Sequence, residues 1–314
     1  MRLDSLNSSQ LGGVLAAELG LPGSLTFKRH PQSGRNRIYI VHATGGRRLF
    51  VKIHPAGEGN EATVNDAIAP LELGIPPLLT LPDFGLTVFE YIDPLPTLED
   101  VARERPKAAL VALSMLGERV ACIEDIAVPP SVRRTQPLFD FPFPHVNQVI
   151  DISTAAQQFL TEIQEIGLAA MLDTMPSKRL VLGHGDIKLD NLVLSEGQPF
   201  LIDWEAATLV PPGTDCAALA GLALTVIARS DPSLPEIESA NFDSGFAAAR
   251  LLAEIYFRRR SSDAVTARRF EQLVASFLIQ RVLSECMYKQ RPGRVDRLMV
   301  KIAQQILSQG LLHR

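Results

Sequence analysis

The sequence predicts an α+β protein of two lobes, a small β-rich lobe over residues 1–92 and a larger, mainly helical lobe over 93–314. Three observations lead there. Short β-branched and aromatic runs are confined to the first ninety residues, stretches of helical composition follow them, and 314 residues exceed one ordinary domain without reaching three.

The elements follow in order. Ile38-Tyr39-Ile40-Val41 and Leu49-Phe50-Val51-Lys52-Ile53 have strand composition, and Thr44-Gly45-Gly46 between them supplies a turn tolerant of positive φ, which predicts a hairpin. Residues 60–69 read as a short helix closed by Pro70, and residues 87–92 as a third strand ended by Asp93-Pro94. The stretch Asp93-Pro94-Leu95-Pro96 predicts the connection between lobes. Residues 108–126 and 147–172 predict helices, with a Pro-rich loop over 129–144 between them. Beyond residue 214 helices dominate, and Phe270, Leu273 and Phe277 recur at helical spacing as core positions.

Composition removes several function classes. Hydrophobic residues make up 46% and charged residues 21%, so the chain is neither disordered nor fibrous. A net charge of −4 argues against nucleic acid as a partner. Cys122, Cys216 and Cys286 fit a reducing compartment, and their spacing fits no zinc site. The longest apolar run, 216–228, is too short to cross a bilayer, and the polar start lacks a signal core. The expectation is a cytoplasmic protein with no membrane partner; nothing in the sequence sets its oligomeric state.

The chemistry is concentrated between residues 181 and 205. His184-Gly185-Asp186-Ile187-Lys188-Leu189-Asp190-Asn191 is a polar, turn-rich loop. Residues 189–194 and 200–202 then read as a hairpin around Ser195-Glu196-Gly197. That hairpin brings Asn191 toward Asp203, with Asp186 five residues upstream. Two carboxylates and an amide oxygen in one small volume repel one another unless a cation joins them. Hard oxygen donors select Mg²⁺ shared with phosphate oxygens, and a further carboxylate can orient an attacking hydroxyl.

The full string from His184 to Asn191, followed by Ile202-Asp203-Trp204-Glu205, resembles the signature of the aminoglycoside phosphotransferase and choline kinase-like superfamily. The resemblance implies a bilobal protein-kinase-like fold and covers nearly the whole chain. It implies Asp186 as the catalytic base, Asn191 and Asp203 as Mg²⁺ ligands, His184 as a brace of the loop and Asp215 as a structural tie. Lys52 resembles the strand lysine that pairs the phosphates of a nucleotide. Glu61 is its expected ion-pair partner, with Glu58 as the competitor. Gly34 and Asn36 fall where a phosphate loop lies, with one glycine rather than the protein-kinase three. Glu90 and Ile92 fall at the hinge that meets the adenine through backbone groups. Trp204 and Glu205 stand where protein kinases carry Phe and Gly, which favours a small-molecule kinase over a protein kinase.

The implied activity is transfer of the γ-phosphate of ATP, or of GTP, to a hydroxyl of a small molecule such as an antibiotic, nucleoside, sugar or amino alcohol. A nucleotide-binding scaffold without transfer is the alternative; Lys52, Asp186, Asn191 and Asp203 are all present against it. Residues 215–314 hold 14 basic and 10 acidic side chains, against 17 and 25 before them. The last third of the chain therefore does not advertise an acidic cleft for a polycation, although Asp140, Asp151, Asp190 and Glu205 could supply local acid. With one tryptophan and 6% aromatics, a cage for a quaternary ammonium is poorly provisioned. The expected acceptor is a neutral or anionic hydroxyl compound.

Overall fold

The computed structural model describes residues 8–30, 36–54, 60–81, 85–93, 95–132, 154–165, 179–230, 240–260, 265–286 and 293–312. Gly34, Glu58, Asp140, Asp151 and most of the Pro-rich loop lie outside them.

After helix α1 (Ser8–Leu19), the N-terminal strands are β1 (Thr26–Arg29), β2 (Arg37–His42), β3 (Arg48–Ile53), β4 (Leu79–Leu81) and β5 (Leu86–Glu90). They form one antiparallel sheet in the order β1-β2-β3-β5-β4. The β2–β3 hairpin agrees with the sequence. Helix α2 (Asn60–Ile68) also does, although a 3₁₀ turn over Ala69–Leu71 carries Pro70.

Three elements were not legible in the sequence. Helix α1 contains Gly12-Gly13, which lowers its propensity, and it is held because Leu11 and Leu15 pack on the sheet against Val41, Leu49, Val51, Ile53, Leu86 and Val88. Strands β1 and β4 are short and only partly buried, so they carry little alternating signal. The predicted third strand stops at Glu90 rather than Ile92.

Period-two alternation decides which way β3 points its side chains. Leu49, Val51 and Ile53 enter the core beneath α1. Lys52 takes the opposite face, where it is 5% exposed beside α2. From α2, Val64 and Ile68 join the larger hydrophobic cluster of the helical part.

That part contains α3 (Leu98–Glu104), α4 (Pro106–Ala121), α5 (Thr154–Glu165), α6 (Thr214–Ser230), α7 (Ala240–Arg259), α8 (Ala267–Cys286) and α9 (Arg294–Gln309). Thr97 caps α3 in a reciprocal box with Asp100, and Pro106 opens α4 at a position where a missing N–H costs nothing. The helix predicted from 108 therefore begins two residues earlier and gives way to a 3₁₀ turn at Cys122. Helix α5 falls inside the predicted 147–172, whose flanks lie outside the described residues. The apolar run 216–228 is the central helix α6, buried at every position of that run because α4, α7 and α8 surround it. Among the described residues no helix is long and apolar enough to cross a membrane. Phe270 is fully buried in α8, and Leu273 and Phe277 pack against the same core.

Candidate active site

The loop 184–191 lies between β6 (Val181–Gly183) and β7 (Leu192–Ser195), with β8 (Gln198–Leu201) completing the hairpin and β9 (Thr208–Val210) pairing back onto β6. Residues 189–191 form a 3₁₀ turn rather than the start of a strand, so Asn191 is delivered at the end of a turn. The hairpin register then sets Ile202 against it: the Ile202 N–H donates to the Asn191 carbonyl at 2.9 Å, and Asp203 follows directly.

His184 is fully buried and braces this loop from three sides. Its Nδ1 accepts the Asp186 N–H at 3.2 Å, which leaves Nε2–H to donate to the Ile202 carbonyl at 2.9 Å. Burial holds the imidazole below its ordinary pKa, so the neutral tautomer that makes both bonds persists. The ring packs edge-on against Trp204, 4.5 Å between centroids, and the Trp204 indole N–H donates to the Leu201 carbonyl.

Gly185 has φ +80°, and a Cβ there would stand 2.1 Å from the Ala206 carbonyl oxygen. Gly185→Ala should therefore cost more than the ~1–2 kcal/mol of left-handed backbone alone, since the loop must also move away from the turn that ends at Ala206. A lowered Tm together with lost activity is the expected reading; an unchanged Tm would show that the loop yields freely.

Asp215, the first-turn acid of α6, accepts the His184 backbone N–H at 2.9 Å. Burial, reinforced by Glu124, outweighs that bond and raises its carboxyl to about 7 from an ordinary 3.8. The folded state then keeps this proton up to about pH 7 while the unfolded chain releases it near 4. Stability falls as pH rises across that window, by as much as ~4 kcal/mol at ~1.4 kcal/mol per unit. In Asp215→Asn this slope should vanish, making the variant relatively more stable at pH 7.5 than at pH 4; denaturant melts at the two pH values measure it.

Asp186 and Asn191 are in contact. The Asn191 Nδ2 donates to the Asp186 carbonyl at 2.9 Å and to its Oδ2 at 3.2 Å. Both amide protons are thus directed at Asp186, and the Asn191 Oδ1 remains as a carbonyl-type acceptor. Lys188, which sequence reasoning did not single out, places Nζ 2.5 Å from Asp186 Oδ2. Its signal was its place two residues after Asp186 in the same loop.

Around Lys52 the charges are denser than the sequence suggested. Its Nζ lies 3.0 Å from Glu61 Oε2 and 2.8 Å from Glu205 Oε2, and it ion-pairs with Asp203. Burial alone would lower its pKa, yet Glu61, Asp203 and Glu205 together hold it above the ordinary lysine value. Burial likewise pushes Glu61 up, but His54 at 2.9 Å and Lys52 overcome it and hold the carboxyl below its ordinary value. The geometry thus brings Glu61 to Lys52.

Glu205, open in the sequence between a functional contact and a solvated carboxylate, is not a solvated bystander. It takes Lys52 and accepts the Asn36 side-chain amide, which joins the loop before β2 to the segment after β8. His54, Glu61 and Glu205 converge closely enough to hold a cation, and the cation among them is the Lys52 ammonium. Asp203 adopts a left-handed backbone, φ 68° and ψ 59°, a conformation that aspartate tolerates better than most residues.

The oxygens at this centre fit a hard divalent cation: a neutral amide oxygen from Asn191, a carboxylate from Asp203 and a second carboxylate within hydrogen-bonding distance of Asn191, with no soft sulfur among them.

At the sheet edge, the Val88 carbonyl accepts the Leu78 N–H at 2.7 Å across from β4. Two residues on, the Glu90 carbonyl faces the same side, where the chain before β4 is Pro76-Pro77 and has no N–H to give. The Glu90 side chain points to solvent and pairs with Arg47 at 3.0 Å. Ile92 lies just beyond the strand and is half-buried.

No match was found among curated protein sequences. Solved structures do match. A glucosamine kinase bound to glucosamine, ADP and inorganic phosphate aligns with a TM-score of 0.61 at 18% identity, covering 97% of this chain and 87% of that one. A choline kinase from Cryptosporidium parvum Iowa II gives 0.57 at 13% identity, with 98% of both chains covered. A spectinomycin phosphotransferase in complex with ADP and spectinomycin gives 0.53 at 13%, covering 96% of this chain and 98% of that one. At such identities the likeness establishes the fold, which is the bilobal protein-kinase-like one. The profile of the phosphotransferase enzyme family matches residues 26–261, which spans β1 through α7 and every site residue described above. With the loop, the hairpin and the buried lysine in that order within one matched segment, the chain belongs to the phosphotransferase enzyme family.

Proposed function

We propose that the protein moves the γ-phosphoryl group of ATP, or of GTP, to a hydroxyl of a small molecule. In this reading residues 1–92 hold the nucleotide and residues 93–314 carry the base and the acceptor site. The observation that supports it most is a pair of contacts joined by one backbone bond: Asn191 holds Asp186, Asp203 holds Lys52, and Ile202, next to Asp203, donates its N–H to the Asn191 carbonyl.

Bound Mg²⁺, held by Asn191 Oδ1 and Asp203, would neutralise charge on the donor phosphates. Lys52 is held by Glu61 and directs its ammonium at those phosphates, and Asn36, tethered through Glu205, adds an amide beside them; Gly34 keeps the phosphate-binding role that the resemblance implies. The Glu90 carbonyl and the Ile92 backbone receive the base. Asp186 accepts the acceptor proton as the acceptor oxygen bonds to phosphorus and the bond from phosphorus to the ADP oxygen breaks. Lys188 balances the Asp186 charge at rest.

The test is incubation with ATP, Mg²⁺ and a panel of hydroxyl compounds. The expected result is one ADP formed for each acceptor that gains a phosphoryl group by mass spectrometry. Saturable Mg·ATP binding with no transfer to any member of a broad panel would replace this reading with that of a nucleotide-binding scaffold.

A further inference from the structure

Helices α4 and α7 pack side by side, and between them an open groove of about 770 Å³ faces solvent. Its α4 wall is the stripe Lys107, Leu110, Val111, Ser114, Met115 and Glu118, spaced as one helix face. Val111 is 60% exposed, Met115 41%, and Leu251 on the α7 wall 40%; these are three of the four exposed large apolar side chains among the described residues. Scattered singly, such side chains need no explanation. Gathered along one groove, they mark a contact surface. Ser244, Ala247 and Ala248 keep the α7 wall low, which leaves room for side chains that come from outside.

The groove is set before anything docks. Gly117 brings α4 so close to α7 that a Cβ there would stand 2.6 Å from Leu252 Cδ2. Arg119 then ties α4 to the rest of the fold by donating to the Glu72 and Pro199 carbonyls at 2.6 and 2.7 Å. A face held from behind in this way has little freedom left to lose on association.

The charges say what docks. Lys107 and Glu118 close the two ends of the stripe, about 16 Å apart at a rise of ~1.5 Å per residue. Neither is paired with another charge among the described residues. A two-fold axis at the level between Ala112 and Leu113 lays the stripe antiparallel on a copy of itself. Lys107 then meets the copy's Glu118, Leu110 meets the copy's Met115, and Val111 meets the copy's Ser114. By symmetry each contact recurs on the other side of the axis. A parallel alignment would instead set lysine on lysine and glutamate on glutamate.

We propose that this face joins two copies of the chain into a two-fold dimer, with α4 of each copy seated in the groove between α4 and α7 of the other. None of its residues belongs to the loop 184–191, the hairpin behind it or the N-terminal sheet, so the proposal stands apart from the phosphotransfer reading.

Sedimentation velocity across a concentration series tests it on the full chain. The expected result is a monomer–dimer equilibrium that Met115→Glu abolishes while far-UV circular dichroism stays unchanged. Lys107→Glu and Glu118→Lys should each raise the dimer Kd by about tenfold or more, because like charges then meet twice across the axis. The double variant Lys107→Glu with Glu118→Lys should restore the wild-type Kd. The two single variants mixed in equal amounts should also dimerise, since a chain with two glutamates then faces a chain with two lysines. That rescue belongs to a second copy of this chain and to no other occupant. A wild type that sediments as a 34.3 kDa monomer at every concentration would overturn the proposal. So would a dimer that all three single variants leave intact, or single variants whose mixture stays monomeric.

Discussion

Asp186→Asn is expected to lower kcat by about 10²–10⁴-fold, the range a positioned general base supplies, while leaving nucleotide affinity nearly unchanged. The substitution keeps shape and removes one charge. The Asp186 carbonyl still takes the Asn191 amide at 2.9 Å, and the Asp186 N–H still donates to His184, so the loop stays in place. What is lost is the carboxylate charge, with its proton-accepting oxygen and its ion pair to Lys188. Steady-state kinetics with any accepted hydroxyl compound, together with calorimetric titration of ADP, separates the two effects. A variant that turned over at the wild-type rate would remove Asp186 from the role of base.

The second large effect belongs to Lys52→Met. Methionine fills much of the same volume but withdraws the ammonium from among Glu61, Asp203 and Glu205. Removing one partner of a buried pair costs roughly 3–5 kcal/mol, because the remaining charge stays desolvated. The part of the pH dependence that Glu61 contributes should weaken. In the wild type Glu61 is held below its ordinary value, so its pairing adds stability that is lost as acid protonates the carboxyl. Without Lys52 burial still pushes that carboxyl up and His54 still holds it down, so the downward pull weakens and less stability is left to lose in acid. The variant's Tm deficit relative to the wild type should narrow as pH falls below the ordinary carboxylate value of 4.5, the Asp215 contribution being common to both. Glu61→Gln added to Lys52→Met should recover part of the lost stability without restoring nucleotide binding. If Lys52→Met melted at the wild-type temperature at every pH, the three carboxylates would not be competing for one cation.

These effects also divide what the chain made legible from what it concealed. The loop 184–191 and the hairpin behind it were readable because their partners lie within about twenty residues. Turn chemistry at Ser195-Glu196-Gly197 fixes the register, and register fixes the approach of Asn191 to Asp203. Lys52 was readable because alternation along β3 commits it to one face of the sheet. Helix α1 and the edge strands were not, because their local preference is weak and tertiary packing decides them.

The amino-acid sequence by itself determined the family, the two-part architecture and the order of the chemical groups, since each of these is written in short-range pattern. Tertiary structure alone decided that Glu205 shares Lys52 with Glu61 and Asp203, that Asn36 reaches across 169 positions to Glu205, and that Arg229 ties Glu99 to Glu285. The physical reason is that a carboxylate's partner is chosen by distance and desolvation. Over separations this long, those quantities exist only once the sheet, the loop and the helices have packed.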